Sequence, residues 1–442
     1  MKIRIIPEII AGKMSSITLA ASLCIAFTVN SATAGSIERI STGSEIVSTG
    51  NSPKASDNGR YIVFRAYSTN TPSYQINTYL HDRATDVTEL VSVGNDGSAG
   101  VAGGSIDVSN DGRYVVFIGR YIDGNGNVNV YVRDRATNTT ELVSINSDGS
   151  PGTVTKSASA VSISGDGRYV AFISNSADVV SGDTNGVADV FVRDRVTGVT
   201  QRVSIASDGT QANGKSGGNY RGTDISADGR YIVFSSVANN LVPNDTNDKL
   251  DLFIHDRTNG TTARVNLAND GSQISAGHYG WFDLSSDGRY ITFVSGDSNL
   301  VTNDNNGQAD VFVRDLAMDT TELVSFANDG SQSNSLNTFP GISANGRYVS
   351  FNSSASNLVT GGNPQGLATF VRDRIANTTE MVDTPHDGTV ANHISFGNSA
   401  VSGDGRYVVF ASFASNLVAG DSDINNDWDI FIHDRISGQI CQ

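Results

Sequence analysis

One short motif, Gly-Arg-Tyr, recurs seven times along the chain of 442 residues and constrains the fold more than any other feature. Successive copies lie 53 to 62 residues apart. That length suits one supersecondary unit, which cannot bury its apolar face alone and must pack on its neighbours. An array of seven similar units is therefore predicted. The glycines of the seven copies are Gly59, Gly112, Gly167, Gly229, Gly288, Gly346 and Gly405.

Each repeat contains four strand patterns. The motif begins a strand of the form Tyr-x-x-Phe, as at residues 169–172, and usually follows an Asp-Gly turn, which indicates a hairpin because both residues tolerate a positive φ. A second strand such as 190–195 and a third such as 200–204 follow. A short strand such as 224–226 leads into the next Asp-Gly turn. Four antiparallel strands per repeat make one propeller blade.

The two ends of the chain complement each other. The last repeat stops at residues 437–439, before its third strand, and a matching segment occurs near the start at residues 37–41. An N-terminal strand that completes the last blade would remove the free sheet edges that invite aggregation. We therefore predict an all-β protein, one seven-bladed β-propeller of four-stranded antiparallel blades over residues 35–442.

Residues 1–34 have the pattern of an export signal. Basic residues precede an apolar stretch over 17–29, which is too short to span a bilayer. The small-x-small sequence at 32–34 is typical of a cleavage site. We predict cleavage after Ala34, a periplasmic or secreted mature protein and no transmembrane segment.

The formal net charge of the chain is −16, and no basic run interrupts the acidic composition. Such a chain repels phosphate backbones, which excludes general nucleic-acid binding. We expect a monomer with a protein or polysaccharide partner in the cell envelope.

The repeat resembles a known one. Ser-x-Asp-Gly-Arg-Tyr-Val-x-Phe followed by Asp-Val-Phe-Val-Arg-Asp-Arg, as at 164–172 and 189–195, is similar to the WD40-like (PD40-type) repeat of TolB-like propellers. The resemblance covers residues 35–442 and implies the propeller fold. It says little about function, because the repeat also occurs in peptidases, lyases and scaffolds. TolB has a six-bladed propeller behind an α/β domain, so its binding of the peptidoglycan-associated lipoprotein is carried over to no residue here.

Residues that recur in nearly every repeat are explained most simply as parts of a blade. These are the arginines of Gly-Arg-Tyr and the Asp-Arg pairs that end the second strand, as at 194–195. We expect them to pair across strands within or between blades.

Four repeats carry an acidic loop between the first and second long strands. Ca²⁺ takes about six to eight oxygen ligands, so alternating oxygen side chains in a tight loop favour calcium as a cofactor. The loops resemble a shortened form of the calcium loops in integrin-type propellers, although they lack the glutamate that ends an EF-hand. The alternative is that these side chains form Asx turns with their own backbone. The candidate ligands are Asp183, Asn185, Asp189, Asp245, Asn247, Asp251, Asp304, Asn306, Asp310, Asp421, Asp423, Asn425, Asp427 and Asp429.

One position on each innermost strand is predicted to face the central channel, because side chains alternate along a strand. This position carries three acids and a lysine, and two aromatic residues lie two positions earlier at one mouth. Such a set suits a cationic or sugar-like ligand, while the alternative is a water-filled channel. The candidate residues are Lys54, Asp107, Asp224, Asp283, Trp281 and Phe339.

Three functions follow from these patterns. We expect an exported, non-catalytic binding or scaffold propeller, and we name no catalytic residue. The alternative is a carbohydrate-active lyase or hydrolase that uses the channel acids, with Asp224 and Asp283 as an acid/base pair. A calcium-dependent adhesion protein is the third, and it overlaps the first.

Overall fold

Every regular element of the computed structural model is a β-strand, within the residues that the structure describes. The predicted signal, residues 1–34, lies outside them. The described residues from Gly35 onward form one compact unit. The described ranges are 35–41, 46–50, 52–68, 75–120, 122, 127–152, 160–218, 222–275, 277–363, 365–419 and 427–436.

Twenty-nine strands are present in these ranges. In chain order they are β1 Ser36–Arg39, β2 Ile46–Thr49, β3 Lys54–Ala55, β4 Tyr61–Ser68, β5 Ile76–Asp82, β6 Val87–Leu90, β7 Val101–Val108, β8 Tyr114–Arg120, β9 Val128–Asp134, β10 Thr139–Leu142, β11 Val161–Ile163, β12 Tyr169–Ser174, β13 Asp189–Asp194, β14 Val199–Arg202, β15 Thr223–Ile225, β16 Tyr231–Ser236, β17 Asp251–Asp256, β18 Thr261–Arg264, β19 His278–Leu284, β20 Tyr290–Ser295, β21 Asp310–Asp315, β22 Thr320–Leu323, β23 Asn337–Ile342, β24 Tyr348–Ser353, β25 Ala368–Asp373, β26 Thr378–Met381, β27 Ala400–Val401, β28 Tyr407–Ser412 and β29 Asp429–Asp434.

The strands form seven antiparallel sheets, which confirms the predicted seven-bladed propeller. Blade 1 contains β2 to β6, where β2 and β3 both pair with β4. Blades 2 to 6 follow as β7–β10, β11–β14, β15–β18, β19–β22 and β23–β26, each with its inner strand first in the chain. Blade 7 contains β27, β28 and β29 with β1 as its outer strand.

The N-terminal strand closes the propeller, as predicted. β1 pairs antiparallel with β29, so that Ser36 lies opposite Asp434 and Arg39 opposite Phe431. The hydroxyl of Ser41 then donates to Asp429 at 2.7 Å. Closure therefore joins residues almost 400 positions apart and makes the seven blades one ring.

The recurring arginine pairs within its own blade, which confirms one part of the sequence interpretation. In blade 3, Arg168 donates from Nε and Nη2 to the two carboxylate oxygens of Asp194, at 2.9 and 2.7 Å. The guanidinium holds the pKa of Asp194 well below its ordinary value, mainly through these hydrogen bonds. The other six pairs are Arg60–Asp82, Arg113–Asp134, Arg230–Asp256, Arg289–Asp315, Arg347–Asp373 and Arg406–Asp434.

The arginine of each Asp-Arg pair instead links neighbouring blades. Arg195 of blade 3 lies 4.4 Å above the ring of Tyr114 in blade 2 and donates to Glu141 of that blade at 3.0 Å. We call these two contacts of the arginine, with the tyrosine ring and with the glutamate, the latch. The junction between blades 4 and 5 lacks the latch, because Leu316 replaces the arginine and Ala263 replaces the acid. A cleft of about 430 Å³ lies there, lined partly by these two residues.

The core lies between adjacent sheets rather than within one layer. A pair of stacked rings in blade 3, Phe172 and Phe191, has its centroids 5.7 Å apart, and both side chains are fully buried. They pack with Val116 and Val132 of blade 2. Because each strand is covered on both faces, its inner residues are almost continuously apolar. None of the described residues forms a helix long and apolar enough to cross a membrane.

Candidate binding site at the channel mouth

Three predicted channel carboxylates each accept a backbone N–H from the neighbouring blade. These contacts satisfy donors that would otherwise be buried without partners. The pairs, with their N···O distances, are Asp107 with Ile163 (3.0 Å), Asp224 with Leu284 (3.2 Å) and Asp283 with Ile342 (2.9 Å). The channel acids are thus parts of the contacts between blades.

The same carboxylates are linked across the channel. Lys54 Nζ on blade 1 lies 3.5 Å from Asp283 Oδ1 on blade 5. The hydroxyl of Ser162 lies 2.8 Å from Asp107 and 2.7 Å from Asp224. The structure therefore brings these four predicted residues into one polar network.

Burial raises the pKa of the Asp224 carboxyl to about 6, while Lys54 opposes the shift and Asp283 and Asp107 add to it. A pKa in this range suits a general acid. Both Asp224 oxygens, however, already accept hydrogen bonds, from Ser162 and from the N–H of Leu284. The geometry therefore favours a positioning role for this carboxylate over proton transfer.

Asp57 spans the channel at the end where the Asp-Gly turns lie. Its two carboxylate oxygens accept from Asn110 Nδ2 and Ser286 Oγ, each at 2.7 Å. Asp57, Asn110 and Ser286 belong to blades 1, 2 and 5. A cavity of about 90 Å³ remains among the channel carboxylates beside this layer.

A larger cavity, the mouth cavity, lies toward the start of the inner strands. Its volume is about 200 Å³, and blades 1 to 4 and 7 line it. Its charged residues are Lys54, Arg65 and Asp224, and its other polar residues include Ser52, Ser105, Thr223 and Asn398.

Three polar atoms at the mouth cavity are buried without a hydrogen-bond partner: Arg65 Nε, Thr223 Oγ1 and Asn398 Oδ1. Buried polar groups in folded proteins are almost always hydrogen-bonded. Burial also lowers the pKa of Arg65, although a guanidinium stays charged in proteins. A cation and two neutral polar groups therefore converge on one small cavity.

Arg65 was absent from the predicted site, yet the repeat carries a signal for it. The residue after Phe in the Tyr-x-x-Phe strand is charged in this copy alone. In the other six it is Ile118, Ile173, Ser235, Val294, Asn352 or Ala411.

The two predicted aromatic residues line neither of these cavities. Both lie where the inner strand shifts register, between His278 and Phe282 in blade 5 and between Thr338 and Gly341 in blade 6. A β-bulge bends the strand and changes the direction of a side chain. Phe339 also has a φ of 49°, a left-handed value that is uncommon for an aromatic residue.

Trp281 and Phe339 begin an aromatic band that crosses blades 5 to 7. Their ring centroids are 4.9 Å apart, and Phe339 meets Phe396 edge-on at the same distance. Tyr279 stacks on Trp281 and is 48% exposed. We define the aromatic band as Tyr279, Trp281, Phe339, Phe396, Trp428 and Phe413.

The acidic loops of blades 3, 4 and 5 have one common geometry. In blade 3, Asn185 accepts the N–H of Val187 at 3.0 Å, which is an Asx turn, and donates to Asp189 at 3.1 Å. Asn247 and Asn306 make the equivalent contacts in blades 4 and 5. The Asx turns are thus present, and calcium binding by these loops stays a prediction.

In blade 7, residues Asp421, Asp423 and Asn425 lie outside the described residues. Asp427 accepts the N–H of Trp428 at 2.9 Å. Asp429 lies 2.9 Å from the guanidinium of Arg39 on the closing strand.

One stretch, residues 214–218, has the Gly-x-Ser-x-Gly spacing of a nucleophile elbow. Its Ser216 is fully buried and bonds to the hydroxyl of Ser236 at 2.9 Å. A nucleophile elbow exposes its serine between a strand and a helix. This serine therefore belongs to the blade and is no nucleophile.

One trio of potential metal ligands, Glu38, His81 and Asp86, lies within 4.8 Å in the described part of the chain. Burial lowers the pKa of His81. Its Nδ1 contacts the hydroxyl of Thr88 at 2.9 Å, and Glu38 has Arg83 at 3.5 Å. The trio is therefore part of the contact between blades 7 and 1.

Comparison with known proteins agrees with this architecture. No family model and no curated protein matches the chain. Solved structures do match, among them an oligogalacturonate lyase from Vibrio parahaemolyticus, at 12% identity over 90% of this chain and 93% of that chain, with a TM-score of 0.51. The β-propeller domain of the Trilobed protease from Pyrococcus furiosus matches at 11% identity over 84% of this chain and 91% of that domain, also at 0.51.

TolB from Acinetobacter baumannii is a further match, with 15% identity over 73% of this chain and a TM-score of 0.42. The match spans 63% of that TolB chain. Identities this low concern the fold alone. The class that fold and repeats define is a seven-bladed β-propeller built from WD40-like repeats, as the resemblance implied.

Proposed function

We propose that this chain is an exported, non-catalytic, monomeric binding propeller that holds an acidic polysaccharide of the cell envelope at the mouth cavity. The observation that carries this proposal is the guanidinium of Arg65, which lines a cavity of about 200 Å³ with its buried Nε unpartnered. A carboxylate is the natural partner of a guanidinium, since the two form charge-assisted hydrogen bonds. Thr223 and Asn398 offer further polar atoms to sugar hydroxyls.

The aromatic band supports a carbohydrate rather than a free anion. Its rings continue from the inner strands of blades 5 and 6 into blade 7, and the side chain of Tyr279 is about half exposed. Aromatic rings bury large apolar area at fixed geometry and are typical of ligand sites that have few polar contacts. A polymer bound at Arg65 would extend over this band.

The channel acids support binding over catalysis. Each accepts a backbone N–H from the next blade, so a proton-transfer role would disturb the contact between two blades. The acid-rich interior also repels an anionic ligand and would hold it at the mouth beside Arg65. Export follows from the pattern of residues 1–34.

The proposal is tested by calorimetric titration of residues 35–442 with a polysaccharide of uronic acids, and with dextran as the neutral comparison. We expect saturable binding of the acidic polymer and at least a tenfold loss in Arg65→Gln. Lys249→Gln is the matched control, because Lys249 is an exposed cation in a loop. Its affinity should stay within about twofold of the parent protein.

Three outcomes would overturn this function. Equal affinity of Arg65→Gln and the parent protein would remove the guanidinium from the site. Shortened or unsaturated sugars after incubation would favour the lyase or hydrolase alternative. Capture of a protein from envelope extract, with no polysaccharide bound, would replace the proposed partner class.

A further inference from the structure

In three blades, an arginine side chain of the outer strand lies beside the acidic loop and supplies a positive charge to it. Arg264 Nη2 lies 2.8 Å from Asp245 in blade 4. Arg39 Nη2 lies 2.9 Å from Asp429 in blade 7. In blade 3 the equivalent Arg202 is 3.7 Å from Asp189. These guanidinium groups stabilise buried carboxylates that would otherwise be costly to bury.

Blade 5 departs from this pattern. Its outer strand carries Leu323, which is buried, where the other three blades carry arginine. In the part of the chain that the structure describes, no lysine or arginine lies within ion-pair distance of Asp304 or Asp310. The loop therefore keeps its acids and lacks the cation of its counterparts.

Both carboxylates of this loop are buried. Asp310 has no exposed surface, and Asp304 is 8% exposed. Asp310 accepts from Ser325, Asn306 and Asn337, whereas Asp304 Oδ1 has no hydrogen-bond partner. A buried carboxylate oxygen without a donor calls for a bound group.

The glutamine of the next connection does not compensate. In blade 3, Gln211 Nε2 donates to both Asp183 and Asp189, at 2.9 and 2.8 Å. In blade 5 the equivalent Gln332 donates to the carbonyl of Asn303 at 2.8 Å. The blade 5 loop thus lacks both the arginine and the amide donor that its counterpart in blade 3 has.

We propose that the loop of blade 5 is a calcium site, with the carboxylates of Asp304 and Asp310 as its charged ligands. Two carboxylates balance the charge of one divalent cation. The loop offers oxygen groups and no histidine or cysteine, which selects a hard cation over a transition metal. Carbonyl oxygens of residues 303–308 and water complete the shell.

The test is calcium titration by calorimetry of residues 35–442 after treatment with EDTA, with the unfolding temperature measured with and without Ca²⁺. We expect one bound Ca²⁺ to be lost in Asp304→Asn. Leu323→Arg should lose the same ion, because the new guanidinium copies Arg264 of blade 4. This second variant keeps both acids and so separates loss of the site from loss of the fold.

Asp245→Asn is the matched control, since it alters a loop that already has its arginine. It should bind as much Ca²⁺ as the parent protein. Absence of Ca²⁺ binding in the parent protein, or parental stoichiometry in both Asp304→Asn and Leu323→Arg, would overturn the site. Neither measurement involves polysaccharide, so a negative result is distinguishable from failure of the proposed function.

Discussion

Gly112 of blade 2 lies directly against the ring of Tyr61 in blade 1, so close that a Cβ at residue 112 would come 2.3 Å from the ring. The same contact joins the glycine of every Gly-Arg-Tyr motif to the tyrosine of the preceding blade, and Gly59 closes the circle on Tyr407. The glycine and the tyrosine of the motif therefore each form one side of a contact between neighbouring blades, which we call the joint. Its glycine receives the ring of one neighbour, and its tyrosine packs on the glycine of the other.

Gly112→Ala is expected to destabilise the propeller by two separate effects. Its φ of 70° costs a non-glycine residue about 1–2 kcal/mol. The clash with Tyr61 adds about 1–3 kcal/mol, as overpacking does in cores. Urea unfolding measures the sum. Gly260→Ala is the control, because its φ is 66° with nothing within 4 Å of the added Cβ, and an equal loss in both variants would refute the joint.

Restoring the latch between blades 4 and 5 should stabilise the protein. Leu316→Arg combined with Ala263→Glu recreates the arginine–tyrosine contact of the six other junctions, here with Tyr231, and the arginine–glutamate ion pair of five of them. We expect a gain of about 0.5–1.5 kcal/mol, since half-exposed ion pairs and cation–π contacts each contribute less than about 1 kcal/mol. A double-mutant cycle by urea unfolding measures it, and purely additive single effects would contradict the latch.

Replacing Asp383 with asparagine should stabilise the protein at high pH and leave its stability unchanged at low pH. Burial raises the pKa of this carboxyl to about 6, above the value of about 3.9 for an unfolded aspartate. Between about pH 4 and pH 6 the carboxyl of Asp383 is therefore protonated in the folded state and ionised in the unfolded state. The folded protein loses stability as the pH rises through this range, because the buried carboxyl must then give up its proton. Asp383→Asn should match the parent protein at pH 4 and exceed it at pH 8.

Chemical unfolding of the Asp383 variant at the two pH values checks this difference. Blade 4 supplies the precedent, since Asn266 occupies the equivalent position and accepts the N–H of Leu252 at 2.9 Å. Ser144→Asn in blade 2 is the control, because the hydroxyl at this equivalent position faces Asn129 and no carboxylate. Its stability difference from the parent protein should be the same at pH 4 and pH 8. Equal stability of parent and Asp383→Asn at pH 8 would show that the carboxylate carries no burial cost there.

We expect Asp283 to stabilise the protein mainly through the hydrogen bond that its carboxylate accepts from the N–H of Ile342, and less through its charge. Asp283→Asn keeps an acceptor for that N–H, whereas Asp283→Ala leaves the donor unsatisfied at a cost of about 1–3 kcal/mol. We expect the alanine variant to be clearly less stable in urea, with polysaccharide binding retained by the asparagine variant. Loss of binding in Asp283→Asn without loss of stability would give this carboxylate a direct ligand role.

The number of blades, the four strands of each and the closing N-terminal strand follow from the sequence alone. The joint between Gly112 and Tyr61 explains why. Each repeat contacts mainly itself and its neighbours, so local turn chemistry and apolar runs repeat with the fold and can be counted along the chain. The pairing of Arg168 with Asp194 was accessible for the same reason, because recurrence in every repeat indicates a part of the blade.

The mouth cavity and the calcium site depend on tertiary structure. Arg65, Thr223 and Asn398 lie more than 150 residues apart along the chain, and only closure of the ring brings them to one cavity. The bulges around Trp281 and Phe339 break the alternation on which the sequence prediction relied. An acidic loop has the same pattern with or without a cation. Whether a guanidinium reaches it is decided by a different strand, where Leu323 stands in blade 5 and Arg264 in blade 4.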